Sequence, residues 1–423
     1  MSLNEARIFH NLTRCFGTEP QNVAVAVSGG ADSMALLYCI LVAAQTHTVH
    51  AIIVDHALRP ESAREAELTA QRVRDMGAVP IVMRWQHDGV NTAVQEKARE
   101  ARYALFAQAC TEIGTDEIFV GHTEDDQAET VGMRREAGSG PRGLAGIAPR
   151  VTAPLWPQTR NLTIIRPLLS SSRADIRAFC RTTGIPYVDD PSNEDPKYTR
   201  VAMRARIAKD PALRAELLSL SADMAKIRDA EDSAVRAWFG LHVSRIENAG
   251  VRVPADCLST MPPGALADML RLASGQARRV DPAKAQALQD HISAPDFKPR
   301  TLGGAIVYAA GENIAIARAP GVLLGRRGER PVRTALRPRE THVWDGRFEL
   351  STDRQGITVG AVWPGRAQLN DAARKALKGY DMHMRKTLPA FYRGDEVVAV
   401  PAAGFQIGTG NYTARDIMRD RFH

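Results

Sequence analysis

Residues 23–33, VAVAVSGGADS, constrain this chain more than any other stretch, because they dictate a strand, a sharp turn and a helix in succession. Val23, Val25 and Val27 belong to a run of small and β-branched apolar residues that stops abruptly at Ser28-Gly29-Gly30. Ala31-Asp32-Ser33 then opens a second apolar stretch, MALLYCILVAA. The first run reads as a buried strand of a parallel sheet and the second as the helix packed on it. A glycine-rich turn between them presents backbone N–H groups at the positive end of the helix, a seat for phosphate. Gly29 and Gly30 let the backbone close on an anion without a Cβ in the way. Ser28 and Ser33 add hydroxyl donors, and Asp32 can hold Mg²⁺ or position an attacking group. Alone, the same letters also spell an ordinary Gly-Ser turn, so the rest of the chain must decide.

The lysine-bearing phosphate loop, GxxxxGK followed by Ser or Thr, is absent, which excludes its ATPase chemistry. SGGxDS instead resembles the signature of the PP-loop ATP pyrophosphatases. That resemblance implies release of pyrophosphate and transfer of AMP to an activated oxygen.

A length of 423 residues exceeds one typical domain, so two or three are expected. No run approaches the ~20 apolar residues of a membrane span, and MSLNEARIFHNLTRC reads as an amphipathic helix rather than a signal peptide. A cytoplasmic protein without membrane contact is therefore expected. The cysteines (Cys15, Cys39, Cys110, Cys180, Cys257) form no CxxC, which argues against a zinc site or a disulfide framework and reads as buried thiols. A net charge of +7 suits a polyanionic partner without specifying one.

Further along, His50–Val54 reads as a second strand with Asp55-His56 at its carboxyl end, facing the same crevice as Ser28–Ser33. Ser62 and Glu65 spell a capping box for the next helix. His56 is either a base or a partner of Asp55. A helix containing QEKAREARYALFAQAC then places Arg99, Arg102 and Tyr103 on neighbouring turns, as a solvated basic face or as arginines turned toward phosphate. EIFVGHTEDDQAET, residues 117–130, repeats the strand-then-helix plan with His122 at the strand end. Asp126 and Glu129, three apart, share a helical face; two carboxylates there repel unless a cation, Mg²⁺ or an amine, joins them. GSGPRG (138–143) matches GxGxxG but follows a polar helix, so a dinucleotide site is rejected. Gly132 sits where an apolar residue is expected, at a helix cost of ~1 kcal/mol. Ser172 caps a further helix, the loop DDPSNEDPKYTR follows, and Arg200 and Arg204 share a helical face.

The first unit ends near Lys209, with Asp210-Pro211 as N-cap and first residue of a new helix. Four regions result: residues 1–209 an α/β domain with a Rossmann-like parallel sheet, 210–324 mainly helical, 325–340 a basic linker, and 341–423 a small α+β domain. GGAIVYAAGENIAIARA reads as a hairpin turning at Gly311-Glu312-Asn313. Arg366, Arg374, Lys375, Lys378, Arg385 and Lys386, interleaved with Trp363 and Tyr380, make a candidate RNA surface or a solvated basic face.

SGGADS, VDHALRPES, AREARY, GHTEDDQAET, GSGPRGLAGI and DDPSNEDPKYTR resemble, in order and spacing, the tRNA(Ile)-lysidine synthetases over roughly residues 20–206. The resemblance implies ATP-dependent ligation of lysine to C2 of the wobble cytidine in a CAU-anticodon isoleucine tRNA. It implies ATP and Mg²⁺ at Ser28, Gly29, Gly30, Ala31, Asp32, Ser33, Asp55 and His56, with Asp32 as metal ligand. It implies lysine at Asp126 and Glu129, and Asp32, His122, Arg99, Arg200 and Arg204 around the reaction. The general base, an aspartate or His122, stays open, as does the oligomeric state, a homodimer included. The sequence departs from the family pattern at Ala137, where an arginine is usual, and at Val201, where asparagine is usual. Other readings are a thiolating PP-loop enzyme, disfavoured by the missing cysteine pair, a small-molecule adenylating ligase, and an inert tRNA-binding protein.

Overall fold

Alternation in β1 (Asn22–Ala26) sets the first layer: Val23 and Val25 enter one apolar cluster, Ala24 and Ala26 another on the opposite face. The computed structural model describes Leu12, Glu19 and residues 21–87, 93–188, 199–246, 250–294, 296–325 and 330–418. The expected N-terminal helix and the loop at 189–198 lie outside these residues.

After β1 come α1 (Ala31–Ala43), β2 (Thr48–Asp55), α2 (Ser62–Asp75), β3 (Val79–Arg84), α3 (Val94–Ile113) and β4 (Glu117–Phe119). Then follow α4 (Glu124–Glu136), α5 (Pro141–Leu144), β5 (Arg150–Thr152), β6 (Thr163–Ile165), α6 (Arg173–Thr183), α7 (Thr199–Lys209) and α8 (Pro211–His242). The strands pair in the order β3-β2-β1-β4-β6-β5, parallel except for the edge strand β5. Met34, Leu37 and Ile40 of α1 pack with Ala70 and Val73 of α2 and Ile176 and Cys180 of α6 on one side of the sheet. Tyr103, Phe106 and Ala109 of α3 cover the other. From β1 the chain builds outward through β2 and β3, then returns to add β4 on the opposite side. The strand order reverses between β1 and β4, so a crevice opens beyond their carboxyl ends.

The chain packs as two units, one up to Asp229 and one from Ala230. Asp210 caps the new helix as expected, its carboxylate accepting from the Leu213 amide at 3.0 Å. The first half of α8 nevertheless stays with the α/β unit, because Leu217 packs with Ala128 and Val131 of α4 and Met203 and Ile207 of α7.

The second unit holds more strand than its helical pattern suggests. The expected hairpin forms between 305–310 and 313–318, but 244–246, 250–254 and 300–302 extend it to five strands. These added strands are too short and too irregular in alternation to show in the sequence; the hairpin supplies their pairing partners. Part of the stretch read as a linker, Arg333–Ala335, is likewise an edge strand, paired with Ile357–Ala361 in a second five-stranded sheet. Its register comes from that neighbour and from Arg333, whose guanidinium lies over the Tyr392 ring. A three-stranded sheet of 341–344, 348–352 and 412–416 is joined to the first five-stranded sheet through a buried Asp345 in its turn, which accepts from Arg318 at 2.6 Å and Arg347 at 2.7 Å. Beside it Gly275 and Gly346 touch backbone to backbone: a Cβ on Gly346 would lie 2.2 Å from the Gly275 carbonyl oxygen.

Candidate active site beyond β1 and β4

The turn after β1 is folded by its own hydroxyls. Ser33 Oγ accepts from the Ser28 amide at 3.1 Å, donates to the Gly30 carbonyl at 3.0 Å and lies 3.2 Å from Ser28 Oγ. Gly29 takes φ +84°, and a Cβ there would strike Thr69 Oγ1 at 2.7 Å, so α2 closes tightly on the turn. Gly30 caps α1 with no side chain over the helix end. The first N–H groups of α1, those of Ala31 and Asp32, are thus open to an anion. Ser33 serves the turn, while Ser28 stands exposed at its mouth.

Asp32 points across to the segment after β4. Burial pushes its carboxyl up to about 6, helped by Asp126 and opposed by Arg173, whose Nε lies 3.5 Å from Oδ2. Oδ1 is buried with no hydrogen-bond partner among the described residues. One free carboxylate oxygen beside an open helix end fits Mg²⁺, which typically takes one or two carboxylates and substrate phosphates.

Beyond β4, Thr123 caps α4 through a capping box with Asp126, whose Oδ2 accepts from the Thr123 amide at 2.9 Å. Burial works against the Asp126 charge, but that bond together with Arg173 and Arg200 holds its carboxyl below the usual range. Asp126 and Glu129 do share a face, and the cations that join them are arginines. Arg173 reaches Asp126 and Glu129, each at 3.3 Å. Glu129, 1% exposed, also accepts from Arg200 Nε at 2.9 Å and Arg204 Nε at 2.7 Å. Three carboxylates (Asp32, Asp126, Glu129) face three guanidiniums. Arg173 escaped the sequence reading, although a basic residue in the first turn of a helix opposes the helix dipole and is itself a signal.

His122 stands beside this cluster, its Nδ1 3.1 Å from Nε of the buried Arg166. Burial first, then Arg166, hold its pKa far below the ordinary value. Arg166 was also missed, yet it directly follows the carboxyl end of β6 and so occupies a crevice position by rule. Arg99 lies exposed on α3 with its guanidinium 4.7 Å from the Tyr103 ring centroid.

At the end of β2 the expectations divide. Asp55 is buried and occupied: Oδ1 accepts from the Ala57 amide at 2.8 Å and from Ser62 Oγ at 2.7 Å. Ser62 therefore makes no capping box; the buried carboxylate takes its hydroxyl. His56 pairs not with Asp55 but with Arg102, at 3.1 Å through Nε2, and burial lowers its pKa to about 4. With Nε2 accepting, Nδ1 carries the ring proton, and Nδ1 has no partner among the described residues.

One contact of α4 holds the turn that follows it, and another explains a departure from pattern. Arg134 donates to the carbonyls of Gly143 and Gly146 at 2.8 and 2.9 Å, pinning the GSGPRG turn to the helix. Gly132 makes room for Met203, whose sulfur lies 2.6 Å from where a Cβ would sit. In the second unit Trp363 gathers Arg366, Arg385 and Lys386 at 4.2, 5.6 and 5.1 Å from its ring. Arg374 lies apart, paired with Asp371 at 2.7 Å. Lys375 and Lys378 are exposed at the end of the helix 371–377.

A family profile described as a PP-loop domain matches residues 2–210. The tRNA(Ile)-lysidine synthase of Hyphomonas neptunium is 36% identical over 71% of this chain and 82% of its own length. That of Rhizobium meliloti is 32% identical, covering 84% and 78%, and that of Caulobacter vibrioides 31% identical, covering 95% and 92%. Among solved structures, the U34-tRNA thiolase NcsA from Methanococcus maripaludis overlaps 53% of this chain and 78% of its own at 15% identity, with a TM-score of 0.43. The chain belongs to the tRNA(Ile)-lysidine synthase family, on a PP-loop domain.

Proposed function

We propose that this protein is an ATP-dependent ligase that joins lysine to C2 of the wobble cytidine in a CAU-anticodon isoleucine tRNA. The observation that carries the reading is the facing pair of clusters at the strand-order reversal. An open helix end after β1 lies against a carboxylate and arginine cluster after β4, in a chain of this family.

In the first step the C2 carbonyl oxygen attacks the α-phosphorus of ATP and pyrophosphate leaves. In the second the ε-nitrogen of lysine bonds to C2, the C2–O bond breaks with its electron pair leaving on AMP, and the amine loses a proton. The α1 helix end and Ser28 bind the phosphates, and His56, whose buried Nδ1 has no partner among the described residues, lies at the end of the neighbouring strand β2. Mg²⁺, held by Asp32, would supply charge neutralisation on the phosphate oxygens. Arg99, with Arg200 or Arg204, offsets negative charge as it develops. Lysine's cationic groups reach Asp126 and Glu129 by displacing Arg200 or Arg204, whose side chains are 40% and 36% exposed. Arg366, Arg385 and Lys386 around Trp363, with Arg374, Lys375 and Lys378 nearby in sequence, hold the RNA.

Two of the described cysteines are poorly suited to sulfur transfer: burial pushes Cys110 up to about 12 and Cys180 to about 11, far from thiolate at neutral pH. No helix among the described residues is long and apolar enough to cross a membrane, and a tRNA substrate supports a cytoplasmic enzyme. The test is AMP release from ATP with lysine and a CAU-anticodon isoleucine tRNA transcript, against a CAU methionine tRNA. Release that requires both partners, with labelled lysine entering the RNA, supports the reading. Release without lysine incorporation points to another PP-loop chemistry, and no release with any tRNA to an inert binder.

A further inference from the structure

The contact between Arg166 and His122 decides more than position. A guanidinium has five N–H donors and no acceptor, and stays protonated in proteins. A ring nitrogen 3.1 Å from Arg166 Nε must therefore offer a lone pair, and that nitrogen is Nδ1. A neutral imidazole carries one N–H, so here it sits on Nε2. The arginine is itself fixed: it is 5% exposed, its Nη1 donates to the Ala148 carbonyl at 2.7 Å and its amide to the Pro149 carbonyl at 2.8 Å. Arg99 and Arg200 add repulsion to a second proton on the ring, and Asp126 alone works the other way.

We propose that Arg166 is a positioning residue that locks His122 in the tautomer with Nδ1 bare and Nε2 protonated, so that His122 serves the ligation as a hydrogen-bond donor and not as its general base. The inference rests on the proposed reaction for the word ligation, but the tautomer is a property of the chain alone. A donor there suits the anionic oxygens of the adenylated intermediate and of departing AMP. The proton released by the attacking amine leaves by another group.

The test uses the full chain. Nitrogen-15 NMR of the imidazoles, with the His122 signals assigned by their loss in His122→Gln, should show Nε2 protonated and Nδ1 bare from pH 8 down to pH 5. A proton on Nδ1, or a ring that titrates between pH 6 and 7, overturns the inference whatever the activity. Arg166→Glu offers only carboxylate oxygens to Nδ1–H and should invert the tautomer. Its kcat for AMP release with lysine and tRNA should fall about a hundredfold at pH 8, the usual size for one lost donor. Part of that should return toward pH 6 as the ring gains a second proton, whereas a general base would lose activity in that direction. Arg166→Lys, which keeps a cationic donor, should stay within about tenfold of the parent. Failure of the parent to incorporate lysine would sink the proposed reaction while leaving the NMR result standing.

Discussion

Arg173 begins a helix, where its charge opposes the dipole, and burial adds a further cost. Asp126, Glu129 and Asp32 outweigh both and hold its guanidinium above the ordinary range. Glu129 is the hub of that arrangement, with arginines at 2.7, 2.9 and 3.3 Å. Glu129→Gln removes one counter-charge from Arg173 and Arg200, which keep Asp126, and one from Arg204, and should cost roughly 1–3 kcal/mol, read as a lower urea midpoint at unchanged slope. Asp32 behaves in the opposite sense. Its folded pKa near 6 exceeds the unfolded 3.8, so the folded chain binds the extra proton and loses stability as pH rises between those values. Without nucleotide, Asp32→Asn should therefore be about 3 kcal/mol more stable than the parent at pH 8, with the gain vanishing below pH 4. The same variant should release no AMP. A carboxylate kept where it destabilises the fold marks where chemistry is done.

At the scale of elements, α4 and α7 meet where Gly132 leaves space that Met203 fills. Gly132→Leu should gain about 1 kcal/mol of helix propensity and lose roughly 2–3 to overpacking, for a net fall in thermal midpoint. Adding Met203→Ala should recover most of that loss, and a double-mutant cycle would read the coupling. Strong local signals made β1, its turn and α1 legible: an apolar run, two glycines and an uninterrupted apolar helix. The hairpin at 305–318 was legible for the same reason. The capping box at Ser62 misled, because a buried Asp55 from another element outbid the helix end for the hydroxyl. Arg166 and Arg173 stayed hidden because a single arginine in a polar stretch has no period. Only the folded sheet brings them to His122 and Glu129. Asp126 and Glu129 were rightly placed on one face, and their cations came from residues 44 to 75 positions away.

For the whole molecule, positive charge is concentrated rather than merely abundant. Arg366, Arg385 and Lys386 surround one indole, which holds their charges together on a rigid platform. Changing all three to Gln should weaken isoleucine tRNA binding and reduce the slope of log affinity against log salt by about 2–3. The residues proposed to form AMP lie elsewhere in the chain, so the defect should fall on KM for tRNA with kcat at saturating RNA little altered.

The backbone contact of Gly275 with Gly346, beside Asp345 shared by Arg318 and Arg347, has a bearing on inheritance. Regions that look separable along the chain are joined here by a seam with no room for a methyl group and one carboxylate shared by two arginines. A gene shortened after codon 324 would leave Arg318 buried without its counter-charge, and a borrowed tail would have to match both glycines and the aspartate. The sheets joined at this seam are therefore expected to melt together and to be exchanged between lineages only as one piece.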